Sequence, residues 1–423
     1  MRSFVRAVAL CGAVVGAASA SLPSTASAGD LVPALRIQTG VTAVRSPGSD
    51  PTNDYFVAAT PELSYYFGTE RTTVGITYSF TGSLNSELPN GIANGLSLLL
   101  AYDVAPKTRL LFGVDALQAS IGNYLLVRRT AATRLGGVPA LSTQLLTLAA
   151  TQGITHEVSE FVRLNQALTG TYVTSLDPDV TLNNYLASAV VGAERSWAFD
   201  AVGAELGLQY AKTVLPPLES QILTASLGPT WDHDWSRTVS TSASVSASVA
   251  TSPDPDTETR VTPSGRASAM YFSEGSGVEL SYVAGFAPNI LIGTLNQAHQ
   301  ITLTAYKPIS NEYRVLLRAG AGYLRAKTLD LRMTGAFDNE FDAVLHDADL
   351  SWAPTDFLNL FVRYQFIGQT AGAGNGATAA VVRHAAIFGI EIFAGRRPER
   401  ARIPTRFPQR VDRSDAAPPT RAK

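Results

Sequence analysis

The stretch TVSTSASVSASVA at residues 238–250 decides the fold. Successive side chains of an extended strand point to opposite sides. Val239, Thr241, Ala243, Val245, Ala247 and Val249 therefore share one face, and Ser240, Ser242, Ser244, Ser246 and Ser248 share the other. One face suits hydrocarbon and the other suits water, which is the pattern of a strand crossing a membrane as part of a closed sheet.

The same pattern recurs along the chain between short polar breaks. These fall at 68–71, 103–108, 156–160, 195–197, 232–236, 273–276, 307–312 and 353–356. Two alternating strand patterns separate each break from the next, from a first strand over 31–44 to a last over 380–394. Eight hairpins and one further strand at each end predict about 18 strands, with 16 as the alternative count. The intervening connections are richer in turn formers, as in Ser46-Pro47-Gly48-Ser49-Asp50 and Ser252-Pro253-Asp254-Pro255-Asp256. Short turns on one side and longer loops on the other put both termini on the short-turn side.

Composition agrees. The 423 residues are 45% hydrophobic and 16% charged, without a linker-like composition shift in the middle of the chain. No apolar run after the first segment is long enough for a membrane helix. Residues 1–28 read as a secretory signal peptide: Arg2 and Arg6 precede a small and apolar stretch, and Ala26-Ser27-Ala28 offers a cleavage site. The single cysteine, Cys11, lies inside that signal, so disulfides and thiolate metal sites are excluded from residues 29–423. Residues 29–394 are expected to form the barrel. Residues 395–423, rich in Arg and Pro, are expected to form a disordered tail on the short-turn side. The other basic residues are dispersed, which argues against nucleic acid as a partner.

Aromatic placement points the same way. Tyr313, Val315, Leu317, Ala319, Ala321 and Tyr323 make the expected lipid face with an aromatic at each end, while Arg314 and Arg318 fall on the opposite face. Leu358, Leu360, Val362, Tyr364 and Phe366 sort outward likewise, with Asn359, Arg363 and Gln365 inward. Gln166, His346 and His384 are exceptions on the outer face, explicable by a bulge, an interfacial depth or a slip of register. Propeller, sandwich and β-helix folds fit less well, because their strands are shorter, fewer or differently grouped.

The hairpin series from 31 to 394 resembles the porin-like outer-membrane β-barrel proteins of Gram-negative bacteria. The closing strand Ile387-Phe388-Gly389-Ile390-Glu391-Ile392-Phe393-Ala394 partly resembles the assembly signal of such barrels, but Ile387 replaces a polar residue and the chain does not end in an aromatic. The resemblance implies an integral outer-membrane location with periplasmic termini. Its expected partners are outer-membrane lipid and lipopolysaccharide, the barrel-assembly machinery and small hydrophilic solutes. Nothing in the sequence sets an oligomeric state.

No catalytic, metal or cofactor constellation stands out. Asp232-His233-Asp234 alternates sides at a turn, His346-Asp347-Ala348-Asp349 places its two carboxylates together without a base or nucleophile, and no phosphate loop or zinc spacing occurs. An enzyme is therefore not expected, an outer-membrane hydrolase being the least favoured alternative. A barrel of this size leaves an aqueous lumen. The candidate lumen charges are Arg109, Asp115, Arg163, Glu194, Glu205, Glu279, Arg314, Arg318, Asp347, Asp349, Arg363, Arg383 and Glu391, together with Arg36, Glu62 and Arg266. Their mixed signs predict a wet pore without simple ion specificity; the alternatives are a closed structural barrel, in which they pair across the interior, or a surface-binding one. In porins the third outward loop commonly narrows the channel, so Arg128, Arg129 and Arg134 in the 120–140 connection are candidate constriction residues.

Overall fold

The computed structural model describes residues 29–394 apart from 46–49, 70, 88–89, 121–143, 178–181, 216–217, 254–256, 274, 290–293, 311–313, 330–339 and 373–377. The secretory segment 1–28, the tail 395–423 and the three candidate constriction arginines lie outside the described residues. The described chain is built of strands: β1 (Asp30–Arg45), β2 (Thr52–Gly68), β3 (Thr72–Asn85), β4 (Gly91–Ala105), β5 (Thr108–Ser120), β6 (Gln144–Glu157), β7 (Val162–Ser175), β8 (Asn183–Ser196) and β9 (Asp200–Leu215). They continue as β10 (Leu218–Asp234), β11 (Val239–Thr251), β12 (Arg260–Ser273), β13 (Ser276–Asn289), β14 (Thr294–Ser310), β15 (Val315–Leu329), β16 (Glu340–Thr355), β17 (Leu358–Gly372) and β18 (Thr378–Phe393).

Each strand pairs antiparallel with its successor, and β18 returns to pair with β1, so the 18-stranded sheet is closed. At the seam the register runs from Ala34 opposite Phe393 to Arg45 opposite Val382, and the Ala394 N–H donates to the Pro33 carbonyl at 2.9 Å. Closure leaves no edge strand with unpaired backbone groups. The strand count is 18 rather than the alternative of 16. β14 runs on to Ser310, into the polar break expected at 307–312. Pro308 stays in the ladder, and a register shift between Pro308 and Ser310 absorbs its missing N–H.

The short turns are shaped by local hydroxyls. The Thr69 Oγ1 accepts from the N–H groups of Arg71 and Thr72, Ser159 Oγ from Phe161 and Val162, and Ser236 Oγ from Thr238 and Val239. Each hydroxyl satisfies backbone donors that the ladder leaves free at the bend. Gly275 in the β12–β13 turn has a φ of 79°, a left-handed conformation that suits glycine.

Register converts alternation into faces, because directly opposed residues share one side. The outer face is apolar and open: Val245, Leu227, Val191, Val362 and Leu280 are all exposed there. Among the described residues no second sheet covers them. Gln166, His346 and His384 do lie on this outer parity, so no slip of register is involved. His346 stacks on Phe366 at 5.8 Å, and His384 Nδ1 is 2.7 Å from the Tyr364 hydroxyl, which gives one polar edge a partner.

The inner face carries small buried apolar clusters, and two of its large rings sit over glycines. The Phe361 ring sits 2.2 Å from where a Cβ on Gly389 would stand, and the Phe56 ring 2.9 Å from the equivalent point on Gly40. With Ala58 and Ile387 these rings form a buried strip along β2, β17 and β18. At the long-connection rim Ala211, Ile222, Ala250 and Leu295 are buried together, with Leu186, Phe286 and Leu329 against them. β11 and β14 are three strands apart, roughly 14 Å along the wall. A cluster joining them means that this rim leans inward over the lumen.

Candidate functional site

The inner wall is the candidate site, and its charges are ordered by register. Across β15, β16 and β17, Arg318 stands opposite Asp349 and Asp349 opposite Arg363. Nε and Nη2 of Arg363 donate to the Asp349 Oδ2 at 3.0 and 2.8 Å, and the guanidinium also lies over the Phe361 ring. One row further, Gly320 stands opposite Asp347 and Asp347 opposite Gln365. The Asp347 carboxylate rests in the space a side chain on Gly320 would occupy.

At the seam Arg36 donates to Glu391 Oε1 at 2.7 Å, and Asn359 Nδ2 to the other oxygen at 3.2 Å. The pair is well covered, with side chains 16% and 6% exposed. Glu391 thus ties β1, β17 and β18 together at the point where the cylinder closes. Glu62, on the same face of β2, accepts a long hydrogen bond from Ser64.

The far wall carries a wider bridge. Arg266 on β12 reaches Glu205 on β9 at 2.7 Å, passing over two intervening strands. It can do so because the wall between them is low: Glu205 is opposite Gly228, and Arg266 is opposite Ser244. A Cβ on Gly228 would meet the Val245 carbonyl at 1.9 Å, so β10 and β11 approach too closely there for any other residue.

Nearer the short turns, Arg163 pairs with Glu194 at 3.2 Å, and Arg109 approaches Asp103 at 3.8 Å. Glu279 lies on the lumen parity of β13, opposite Met270 and Thr304. Arg314 is placed differently from the expectation. It precedes β15 with a φ of 50° and pairs with Asp356 of the β16–β17 turn, at the rim rather than on the wall. A left-handed residue breaks the alternation on which its inward assignment rested.

Four candidate charges have no hydrogen bond or ion pair to the described residues. These are Asp115 and Arg318, both exposed in the lumen, Asp347, and Arg383, whose Nε is buried without a partner. Two are acidic and two basic, so the unpaired set is of mixed sign. The sequence did not point to Asn184, which is fully buried on β8 with neither amide atom partnered, or to the apolar rim cluster. Among the described residues no group of three His, Cys, Asp or Glu is placed to hold a metal ion.

No known family model matches the chain, and no curated protein matches it in sequence. Solved structures do. The chain is similar to Pseudomonas aeruginosa OpdO, at 12% identity over 86% of this chain and 98% of that one, with a TM-score of 0.46. It is similar also to Pseudomonas aeruginosa OccK2 (OpdF) in complex with glucuronate, at 11% identity, 86% and 98% coverage and a TM-score of 0.44. Acinetobacter baumannii OccAB3 shows 10% identity, 86% and 100% coverage and a TM-score of 0.42.

Proposed function

We propose that this chain is an integral outer-membrane barrel of a Gram-negative bacterium that lets small hydrophilic solutes or ions diffuse through its lumen. The observation that carries this reading is one sheet with two solvents. Its outer face exposes Val, Leu, Ile and aromatic side chains, and its inner face is lined by charges at every height from Arg163 to Arg383. Such a cylinder is stable where hydrocarbon surrounds it and water fills it. In this reading residues 1–28 direct export, the short turns and both termini lie in the periplasm, and 395–423 form a solvated periplasmic tail.

The unpaired Arg318, Arg383, Asp115 and Asp347 would meet a passing solute directly, whereas the paired charges mainly hold the wall. Arg128, Arg129 and Arg134 are proposed to narrow the pore from the third long connection. The test is single-channel recording of the full chain in planar bilayers. Ohmic steps with weak ion selectivity are expected, and replacement of the three arginines by serine should shift the reversal potential toward cations. A barrel that inserts but never conducts would instead favour a closed structural role, for which the inward-leaning apolar rim and the cross-wall Arg266–Glu205 bridge are the supporting observations.

A further inference from the structure

Three of the four tryptophans, Trp197, Trp231 and Trp235, crowd the outer face at the short-turn end of β8–β11, within an aromatic girdle that Tyr65, Tyr102, Tyr271 and Trp352 continue around the barrel. Girdle indoles usually anchor by offering the ring N–H to the interface. Here two N–H groups are already used. Trp231 Nε1 donates to Asp200 Oδ1 at 3.1 Å, and Trp235 Nε1 to Thr241 Oγ1 at 3.1 Å. What remains available is ring surface, and Trp235 is 63% exposed.

The rings are held in a fixed stack. His233 lies parallel to Trp231 at 5.7 Å and edge-on to Trp235 at 4.4 Å, and its Nδ1 is 2.8 Å from the same Asp200 oxygen. Neither bond uses the second oxygen of Asp200, whose side chain is 42% exposed. A carboxylate oxygen flanked by aromatic faces attracts an alkylammonium group, by charge and by the ring quadrupole together. One strand away, Arg195 lies over the Trp197 ring at 5.4 Å and forms no ion pair with a described carboxylate. Arg195 stands opposite Val202 and Val202 opposite Trp231, which puts the cation and the indole roughly 10 Å apart across β9.

We propose that this patch is a headgroup site for a zwitterionic phospholipid of the surrounding leaflet. The ammonium sits against Asp200, Trp231 and Trp235, and the phosphate against Arg195. The inference rests on the membrane-barrel reading and adds a ligand to its outside. A phospholipid is the fitting occupant because the site opens sideways, at the edge of the apolar belt, and presents one anion and one cation in tangential order.

The test is native mass spectrometry of the full chain released from vesicles of equal phosphatidylethanolamine and phosphatidylglycerol. The folded barrel should retain the ethanolamine lipid at least threefold over the glycerol lipid. Asp200→Asn, which keeps the side-chain shape, and Trp235→Leu should each bring that ratio to about one, with insertion and heat-modifiable migration unchanged. Equal retention by the unaltered chain, preferential retention of the glycerol lipid, or an undiminished ratio in Asp200→Asn would overturn the headgroup site and leave the barrel standing. Failure of the chain to insert at all would overturn both.

Discussion

Asp349 illustrates how much one lumen residue depends on its neighbour. Its side chain is 9% exposed and takes both hydrogen bonds from Arg363, the guanidinium that bonds its charge directly. Arg363→Met should leave a desolvated carboxylate and lower the unfolding free energy by on the order of 3 kcal/mol. Asp349→Leu combined with Arg363→Met should recover most of that loss in the same urea titration. Unchanged stability of the single variant would mean that lumen water already solvates Asp349. Gly389 makes a steric counterpart. Gly389→Leu would displace the Phe361 ring from the seam strip and should cost about 1–3 kcal/mol. Adding Phe361→Ala should remove most of the clash, which a double-mutant cycle reads directly.

At the scale of one strand, β11 offers adjacent positions with opposite fates. Val245 is 66% exposed on the outer face, and Ser246 faces the lumen beside Ser264. Val245→Arg should destabilise the inserted barrel by about 2–4 kcal/mol, as a cation in hydrocarbon does. Ser246→Arg should leave its unfolding midpoint in lipid nearly unchanged. Equal effects would show that the two faces are not lipid and water. This contrast was legible in residues 238–250, because a period of two needs only local sequence, and the same holds for the short turns at Thr69, Ser159 and Ser236. What depended on distant strands was not legible. The Arg266–Glu205 bridge needs Gly228 and Ser244 to clear two intervening strands, and the rim cluster joins β10 to β14. Arg314 failed for a different reason, since alternation has no meaning at a residue with positive φ.

At the scale of the whole molecule, the cylinder is finished by β18 and the Ala394–Pro33 hydrogen bond. Truncation after Ala394 removes the Arg and Pro-rich tail without touching a ladder. Insertion into vesicles and heat-modifiable migration of that truncated chain are expected to match the full chain. Loss of insertion would assign the tail an assembly role. The seam has one more consequence. Because β1 and β18 are paired like any other two neighbours and their ends meet at one rim, the cylinder has no privileged beginning. A chain in which a short linker joins Ala394 to Gly29, opened instead within the 373–377 connection, would carry the same eighteen strands in rotated order. Circular permutants of this kind should still reach the same closed sheet, and comparing how fast they insert would reveal whether the order of synthesis, rather than the final pairing, directs assembly.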